Sequence, residues 1–365
     1  MKADTGANSL QAMLREVQQG PAVYRPSNFW NDLGAINRDM IAELGLENFK
    51  RTVAQNYFNW LVISPRDVQF KSALAAFLKR PNLQPLLNRM VSPELLRTTI
   101  KLEDHIGARE LYVYKLFVGM LWEVAAREDG FGLFRDIEEP EIGRPIEIRR
   151  QGKLISQDLA NSMREYHAIL CAEPALVRQH KRVAELGAGY GRLGHVFQHE
   201  KCSSYHIFDI PPALQVSQWY LSRLLPDRKI FAFRHFDSFE EVREELAVCD
   251  LAFLTPNQME YFPDGYFDIF LSISTLPEMS PAQVRHYLQM LSKLSSRYVY
   301  FKQWSDWFNP ADQVRYRTGD FDLDADWSLC LDRADLIQPL FFERLWRRRG
   351  VMPKQVMDRP ERAPG

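Results

Sequence analysis

Through the second half of the chain, apolar residues gather in short runs at 183–186, 205–209, 250–254, 267–271 and 297–301, separated by stretches of helical period. Runs of that length, bounded by turn residues, predict buried parallel strands joined by crossover helices. Pro211 is placed to open a helix reaching about residue 225, and further helices are predicted over 155–170, 239–246 and 281–295. A strand-like piece at 229–233 and an antiparallel edge at 341–346 complete the set. The first half differs. Phe29, Trp30, Phe49, Tyr57, Phe58 and Trp60 recur at spacings closer to a helix than to a strand, and Ser92 before Pro93 and Glu94 reads as a helix start. Residues 135–152, with Pro140, Gly143, Pro145 and Gly152 among charges, lack helical period and read as a connector. The expected layout is a frayed segment at 1–20, a helical acceptor or lid domain with its connector at 21–150, an α/β domain at 151–350 and a flexible tail at 351–365.

The most informative stretch lies where the first strand run empties into glycines, Glu185-Leu186-Gly187-Ala188-Gly189-Tyr190-Gly191. A buried strand that hands over to a helix within a few residues, through glycines, leaves bare backbone amides and a helix N-terminus as a polar cradle for a nucleotide cofactor. A dinucleotide fingerprint counted from Gly187 requires glycine at 192, where Arg192 stands; the frame Gly189, Gly191, Gly194 fits but starts late after the strand. Acid-x-Gly-x-Gly-x-Gly fits without shifting. It resembles the first motif of S-adenosylmethionine-dependent methyltransferases, and the resemblance puts Glu185 near the methionine moiety. Asp209, closing the second strand run, is placed to accept ribose hydroxyls, although nicotinamide enzymes carry such a carboxylate too. The run to Thr255-Pro256-Asn257-Gln258, followed by Phe267-Asp268-Ile269, is similar to the third and fourth strands of class I methyltransferases. The implied fold is α/β: a Rossmann-like class I methyltransferase core with a mostly parallel seven-stranded sheet, behind an N-terminal, mainly α-helical domain. The implied cofactor contacts are Glu185, Gly187, Ala188, Gly189, Gly191, Asp209, Ile210, Asn257 and Gln258, with S-adenosylmethionine as cofactor and S-adenosylhomocysteine as product.

A second resemblance covers residues 24 to 346. Tyr24-Arg25-Pro26-Ser27-Asn28-Phe29-Trp30, Asn48-Phe49-Lys50-Arg51-Thr52-Val53, Asn56-Tyr57-Phe58, Asp209-Ile210-Pro211, Gln218-Trp219-Tyr220-Leu221 and Glu278-Met279 look like motifs of the sugar O-methyltransferase family. It implies O-methylation of a sugar hydroxyl on a carbohydrate or carbohydrate-linked metabolite. The alternatives are O- or N-methylation of a non-sugar natural product, and a catalytically silent cofactor-binding scaffold.

Methyl transfer to a hydroxyl needs alignment and benefits from a general base at the carboxyl edge of the sheet. Glu278 follows the fourth strand there and is the leading candidate; the competing reading has it only cap the helix starting near Pro281 or order the loop. Asp306 and His167 are further catalytic candidates, His167 lying on the helix ahead of the first strand, and His105 is a weaker one. Gln303, Trp304 and Trp307 are candidate acceptor contacts, the tryptophans reading equally as core. The alternating Asp320, Asp322, Asp324 and Asp326 fail the EF-hand pattern, having Ala325 and Leu331 where Gly and Glu belong, and read as an acidic-faced strand or loop; no metal site is expected. Arg347-Arg348-Arg349 read as solvent-facing, with binding of a phosphorylated or nucleotide-linked sugar as the other possibility.

Composition trims the list. At 365 residues and 46% hydrophobic the chain can bury one large core or two moderate ones. A formal net charge of −1 gives no field toward nucleic acid or an anionic membrane. Cys171, Cys202, Cys249 and Cys330 are widely spaced, as in a reduced cytoplasmic protein, and the apolar stretch at 111–126 carries Lys115 and Glu123 and is too short to span a bilayer. The expected partner is a small-molecule or glycan acceptor, with no nucleic acid and no membrane insertion; oligomeric state is left open, a homodimer included.

Overall fold

The computed structural model describes residues 6–51, 61–79, 107–176, 181–200 and 204–350. The helix start at Ser92, the motif around Asn56, His105, Cys202 and the tail lie outside them. The chain begins with helices α1 (Gly6–Gln19), α2 (Asn28–Leu44), α3 (Val68–Phe77) and α4 (Ala108–Glu128). A two-stranded antiparallel ribbon, β1 (Arg149–Arg150) and β2 (Lys153–Leu154), precedes α5 (Gln157–Ala172). The α/β portion then runs through β3 (Arg182–Leu186), α6 (Arg192–His199), β4 (Ser204–Phe208), α7 (Ala213–Leu224), β5 (Ile230–Phe231), α8 (Arg243–Val248) and β6 (Leu251–Leu254). It continues with β7 (Phe267–Ile273), α9 (Pro281–Leu294) and β8 (Ser295–Trp304). A hairpin of β9 (Asp306–Asn309) and β10 (Val314–Arg317) follows, and β11 (Trp327–Ala334) and β12 (Phe341–Arg348) end the fold.

One sheet organises the molecule, in the order β11-β12-β8-β7-β3-β4-β6-β5. The strands from β8 to β5 are all parallel, while β12 runs antiparallel to β8 and β11 antiparallel to β12. From β3 the chain steps outward through β4 and β6, then returns to lay β7 on the other flank of β3. The order therefore reverses between β3 and β7, and their carboxyl ends open the crevice where ligands bind in such sheets. This is the Rossmann-like class I methyltransferase arrangement.

The differences from expectation have physical reasons. The sheet has eight strands rather than seven, because Ile230–Phe231 adds a two-residue edge. The 341–348 strand is not the edge, since β11 pairs outside it. Of the two forms expected for the acidic stretch it takes the loop: Asp320 Oδ2 accepts from the Arg317 amide in a 3₁₀ turn, Asp322 pairs with Arg344, and Asp324 accepts from the Asp326 amide, so its alternation reflects turn-making and ion pairing. The segment before residue 20 is not frayed over 6–19. Met13 and Val17 share one helical face and are fully or nearly fully buried, a short apolar face outnumbered in sequence by polar neighbours. Arg347–Arg349 form no free patch: Arg347 faces Glu173, Arg348 donates to the Ser295 carbonyl over the Trp327 ring, and Arg349 donates to the Trp327 carbonyl.

Side chains alternate across the sheet and feed two cores. Val183, Tyr205, Ile207, Phe253, Ile269 and Leu271 join Met13, Met40, Phe117 and Trp122 of the N-terminal helices in one cluster. Ala184, Leu186, Phe208, Leu254 and Phe270 pack with α9 in the other. The Phe49-Lys50 motif clamps the first assembly: Phe49 packs edge-on against Tyr190 and Tyr220, and Lys50 pairs with buried Glu139 and sits 4.5 Å from the Tyr220 ring centroid. Tyr24 belongs to the opposite cluster, against His286 and Tyr287 of α9. The link between α1 and α2 thus crosses the carboxyl edge of the sheet from one face to the other.

Candidate functional site

That crossing roofs a pocket of about 610 Å³, counted with its open mouth. Its floor is the ends of three strands. After Leu186 the backbone turns through Gly187 (φ +73°), whose amide donates to the Phe208 carbonyl, and Gly189 (φ +57°), whose amide donates to Asp209 Oδ2 at 2.7 Å. A Cβ on Gly187 would stand 2.3 Å from Thr275 Oγ1, so the loop after β7 lies directly on this turn. Gln303 fixes that contact, accepting from the Thr275 amide and donating to Ser272.

Asp209 and Glu278 are the two carboxyls of the wall. Burial pushes Asp209 up to about 7 against the opposing pull of the Gly189 and Ile210 amides. Burial pushes Glu278 up to about 8; the Trp30 indole N–H, 2.8 Å from Oε2, opposes this and the Asp209 charge adds to it. Among the described residues Oε1 of Glu278 has no donor. Glu278 does not cap the following helix: Ser280 and Gln283 form that capping box.

A smaller recess meets the pocket at Gly187, Ile273 and Ser274 and is lined also by Glu165, Glu185, Ala188, Arg192 and Lys302. Glu185 is pushed up to about 7 by burial while Tyr205 donates to its Oε2 at 2.6 Å. Behind it the charges are saturated. Arg192 pairs with Glu165 at 2.7 Å, Lys302 bridges Glu165 and Asp335 at 3.2 and 2.9 Å, and Arg164 reaches Asp335 at 3.1 Å. Burial disfavours charge on Glu165, but Arg192 and Lys302 outweigh it and hold the group below the usual carboxylate range.

The structure brings Gly187, Gly189, Asp209, Ile210 and Glu278 to one pocket, and places other predicted residues elsewhere. Gly191 caps α6 at φ +82°. Asn257 donates its amide to Glu16 of α1 and does not line the pocket, which Pro256 lines. The Gln258 side chain is consumed by the Thr255 amide and the Arg234 carbonyl. Asp306 is exposed and held in its charged form by a two-pronged hydrogen bond from Arg315, a poor setting for a base. Trp304 lies tilted against Phe341 and Trp307 at the sheet end, outside both recesses, and Gln303 is bonded to the Thr275 amide and to Ser272. His167 sits against Phe131 and Cys171, also outside both recesses.

Sequence reasoning missed the roof. Arg25, Pro26, Ser27 and Trp30 line the pocket with Met279, Gln283 and Tyr287. Gln283 Nε2 donates to the Val23 and Arg25 carbonyls, and Ser27 Oγ donates to the Glu278 carbonyl at 2.6 Å. The signal was present in the Tyr24–Trp30 motif, which marked a resemblance without showing where it would fold.

No protein-family model matches the chain, and no curated protein matches it. Among solved structures it is similar to the S-adenosylmethionine dependent methyltransferase from Mesorhizobium loti, at 12% identity and TM-score 0.35, covering 50% of this chain and 97% of that one. It is similar also to magnesium protoporphyrin IX methyltransferase (ChlM) from Synechocystis PCC 6803 with bound SAH, at 11% identity and TM-score 0.36, covering 53% and 86%. The fold assignment rests on the strand order. Among the described residues no helix is long and apolar enough to cross a membrane, and no cluster of three or more His, Cys, Asp or Glu is arranged to hold a metal.

Proposed function

We propose that the protein is an S-adenosylmethionine-dependent O-methyltransferase acting on a hydroxyl of a sugar or sugar-linked metabolite. The observation that carries this is Asp209, buried at the end of β4 and hooked to the glycine turn through the Gly189 amide. Each of its oxygens accepts one backbone amide, from Gly189 and Ile210, which leaves acceptor capacity on both for a pair of ribose hydroxyls. A buried carboxylate raised to about 7 is short of donors, and two hydroxyls would supply them.

The cofactor, when bound, supplies a methyl group on a sulfonium, an electrophile that needs only an aligned nucleophile. Gly187, Gly189, Asp209, Ile210 and Pro256 would hold it. Glu278 is the base: Trp30 holds Oε2, and Oε1 is left to take the proton of the acceptor hydroxyl. Ser27 and the Arg25 backbone tie the roof to the Glu278 loop and to α9. Trp30 offers an aromatic face, the Arg25 side chain offers N–H donors and Ser27 Oγ can still accept, a wall suited to a hydroxylated acceptor.

The test is transfer of labelled methyl from S-adenosylmethionine to free sugars, nucleotide sugars, glycan fragments and non-sugar hydroxylated metabolites, with S-adenosylhomocysteine binding as the folding control. Label only on non-sugars would overturn the sugar assignment; cofactor binding without any transfer would favour a silent scaffold.

Trp30→Phe keeps the ring and removes the N–H that favours the charged form of Glu278. The acid limb of kcat/KM should move to higher pH, lowering activity at pH 7 by up to about tenfold, since one unit of pKa corresponds to about 1.4 kcal/mol. A limb that stays in place would show that the indole does not tune this carboxyl.

A further inference from the structure

Among the described residues the pocket wall contains one cation, Arg25, and no carboxylate pairs with it. Its Nε is buried without a hydrogen-bond partner, an arrangement proteins generally avoid. The other basic groups near the carboxyl ends of the strands, Arg192 and Lys302, are spent within the Glu165–Asp335 network. The Arg25 backbone is fixed on both sides, its amide donating to the Ala22 carbonyl and its carbonyl accepting from Gln283, while Tyr24 beside it is fully buried. The side chain is therefore carried by an anchored roof.

The geometry points to an acidic acceptor: the methylated molecule carries a carboxylate or phosphate that Arg25 grips while its hydroxyl faces Glu278. The inference rests on the methyltransferase reading and narrows its substrate class. A guanidinium fork matches either anion with two parallel hydrogen bonds, and a partly buried pair of this kind outbids a neutral hydroxyl. The wall otherwise holds only Asp209 and Glu278, both raised by burial, so an anion without Arg25 would meet no compensating charge. Nor does Arg25 suit the cofactor's own carboxylate. The resemblance puts the methionine end near Glu185, whose recess lies on the face of α5 and α6, whereas Arg25 is tied to α9 on the opposite face.

The experiment measures binding of hexuronates, aldonates and sugar phosphates, each beside its neutral parent sugar, to the full-length protein loaded with S-adenosylhomocysteine. At least one acid should bind about 10- to 100-fold tighter than its parent, the range of a hydrogen-bonded charge pair. The uronate and phosphate arms then tell which anion is native. Arg25→Gln should erase the difference while retaining S-adenosylhomocysteine affinity, and Arg25→Lys should restore part of it. Equal binding of acids and parents, or no binding of any acid, overturns the inference and leaves the cofactor reading standing. Loss of S-adenosylhomocysteine affinity in Arg25→Gln also overturns it, by assigning the arginine to the cofactor. Failure of the parent protein to bind S-adenosylhomocysteine would sink the underlying reading as well.

Discussion

In a Glu278→Gln protein, S-adenosylhomocysteine affinity should stay within about threefold of the parent while turnover falls by about 10²- to 10⁴-fold, the usual contribution of a positioned base. The amide keeps the volume and can still accept from Trp30 at 2.8 Å, so the pocket should survive. What is lost is an oxygen able to take a proton. The sign of the pH dependence follows from the same group. Only the carboxylate form of Glu278 works as a base, and burial pushes it up to about 8, so kcat/KM of the parent should climb with pH and level off above about 8. Near pH 6 it should lie roughly 100-fold below the plateau, two units on a single-proton limb. Glu278→Gln should flatten this limb. Full activity, or a flat profile in the parent, would move the base elsewhere.

The same burial makes the ligand-free fold sensitive to alkali in a definite direction. Glu185, Asp209 and Glu278 stand at about 7, 7 and 8, above their ordinary values of 4.5, 3.8 and 4.5, so the folded chain holds protons that the unfolded chain has released. Stability from these groups is present in full below about pH 4 and is lost as pH rises through about 8. Carboxyls of this kind at one strand edge are a mark of a site arranged for ligands, because a bound group can supply further donors or positive charge that would let them ionise at less cost.

How far the sequence reached follows which interactions are local. Strand runs and the glycine turn are set by contiguous residues, so β3, β4, β6, β7 and β8 were legible with small shifts at their ends, as were Asp209 just after β4 and Glu278 in the loop after β7. Asn257 and Gln258 were legible as a loop but not by role: Glu16, distant in sequence, takes the Asn257 amide, and a 3₁₀ capping box takes Gln258. Gln303 was drawn inward by Ser272 and Thr275 on the neighbouring strand and loop, a partnership fixed only by sheet register. The roof is the clearest case. Ser27 and Trp30 reach Glu278 across 251 and 248 residues, a separation that no local pattern encodes.

The second large effect belongs to the glycine turn. Gly189 sits at φ +57°, where a β-branched residue is strained, and its amide is the donor that orients Asp209 Oδ2. Gly189→Val should move that amide and place a branched side chain where a ligand would lie against backbone, leaving no measurable S-adenosylhomocysteine binding. Asp209→Ala reaches the same end by another route: it leaves the turn its glycines and removes both carboxylate acceptors. Two hydrogen bonds to a charged group correspond to at least about 100-fold in affinity. The fold should persist in both, because Phe208, Leu186 and Leu254 around the turn are untouched core. Unchanged circular dichroism with lost binding in both variants would place the cofactor on this turn. Normal binding in Gly189→Val would refute that placement, and normal binding in Asp209→Ala alone would keep the turn while removing the ribose role from its carboxylate.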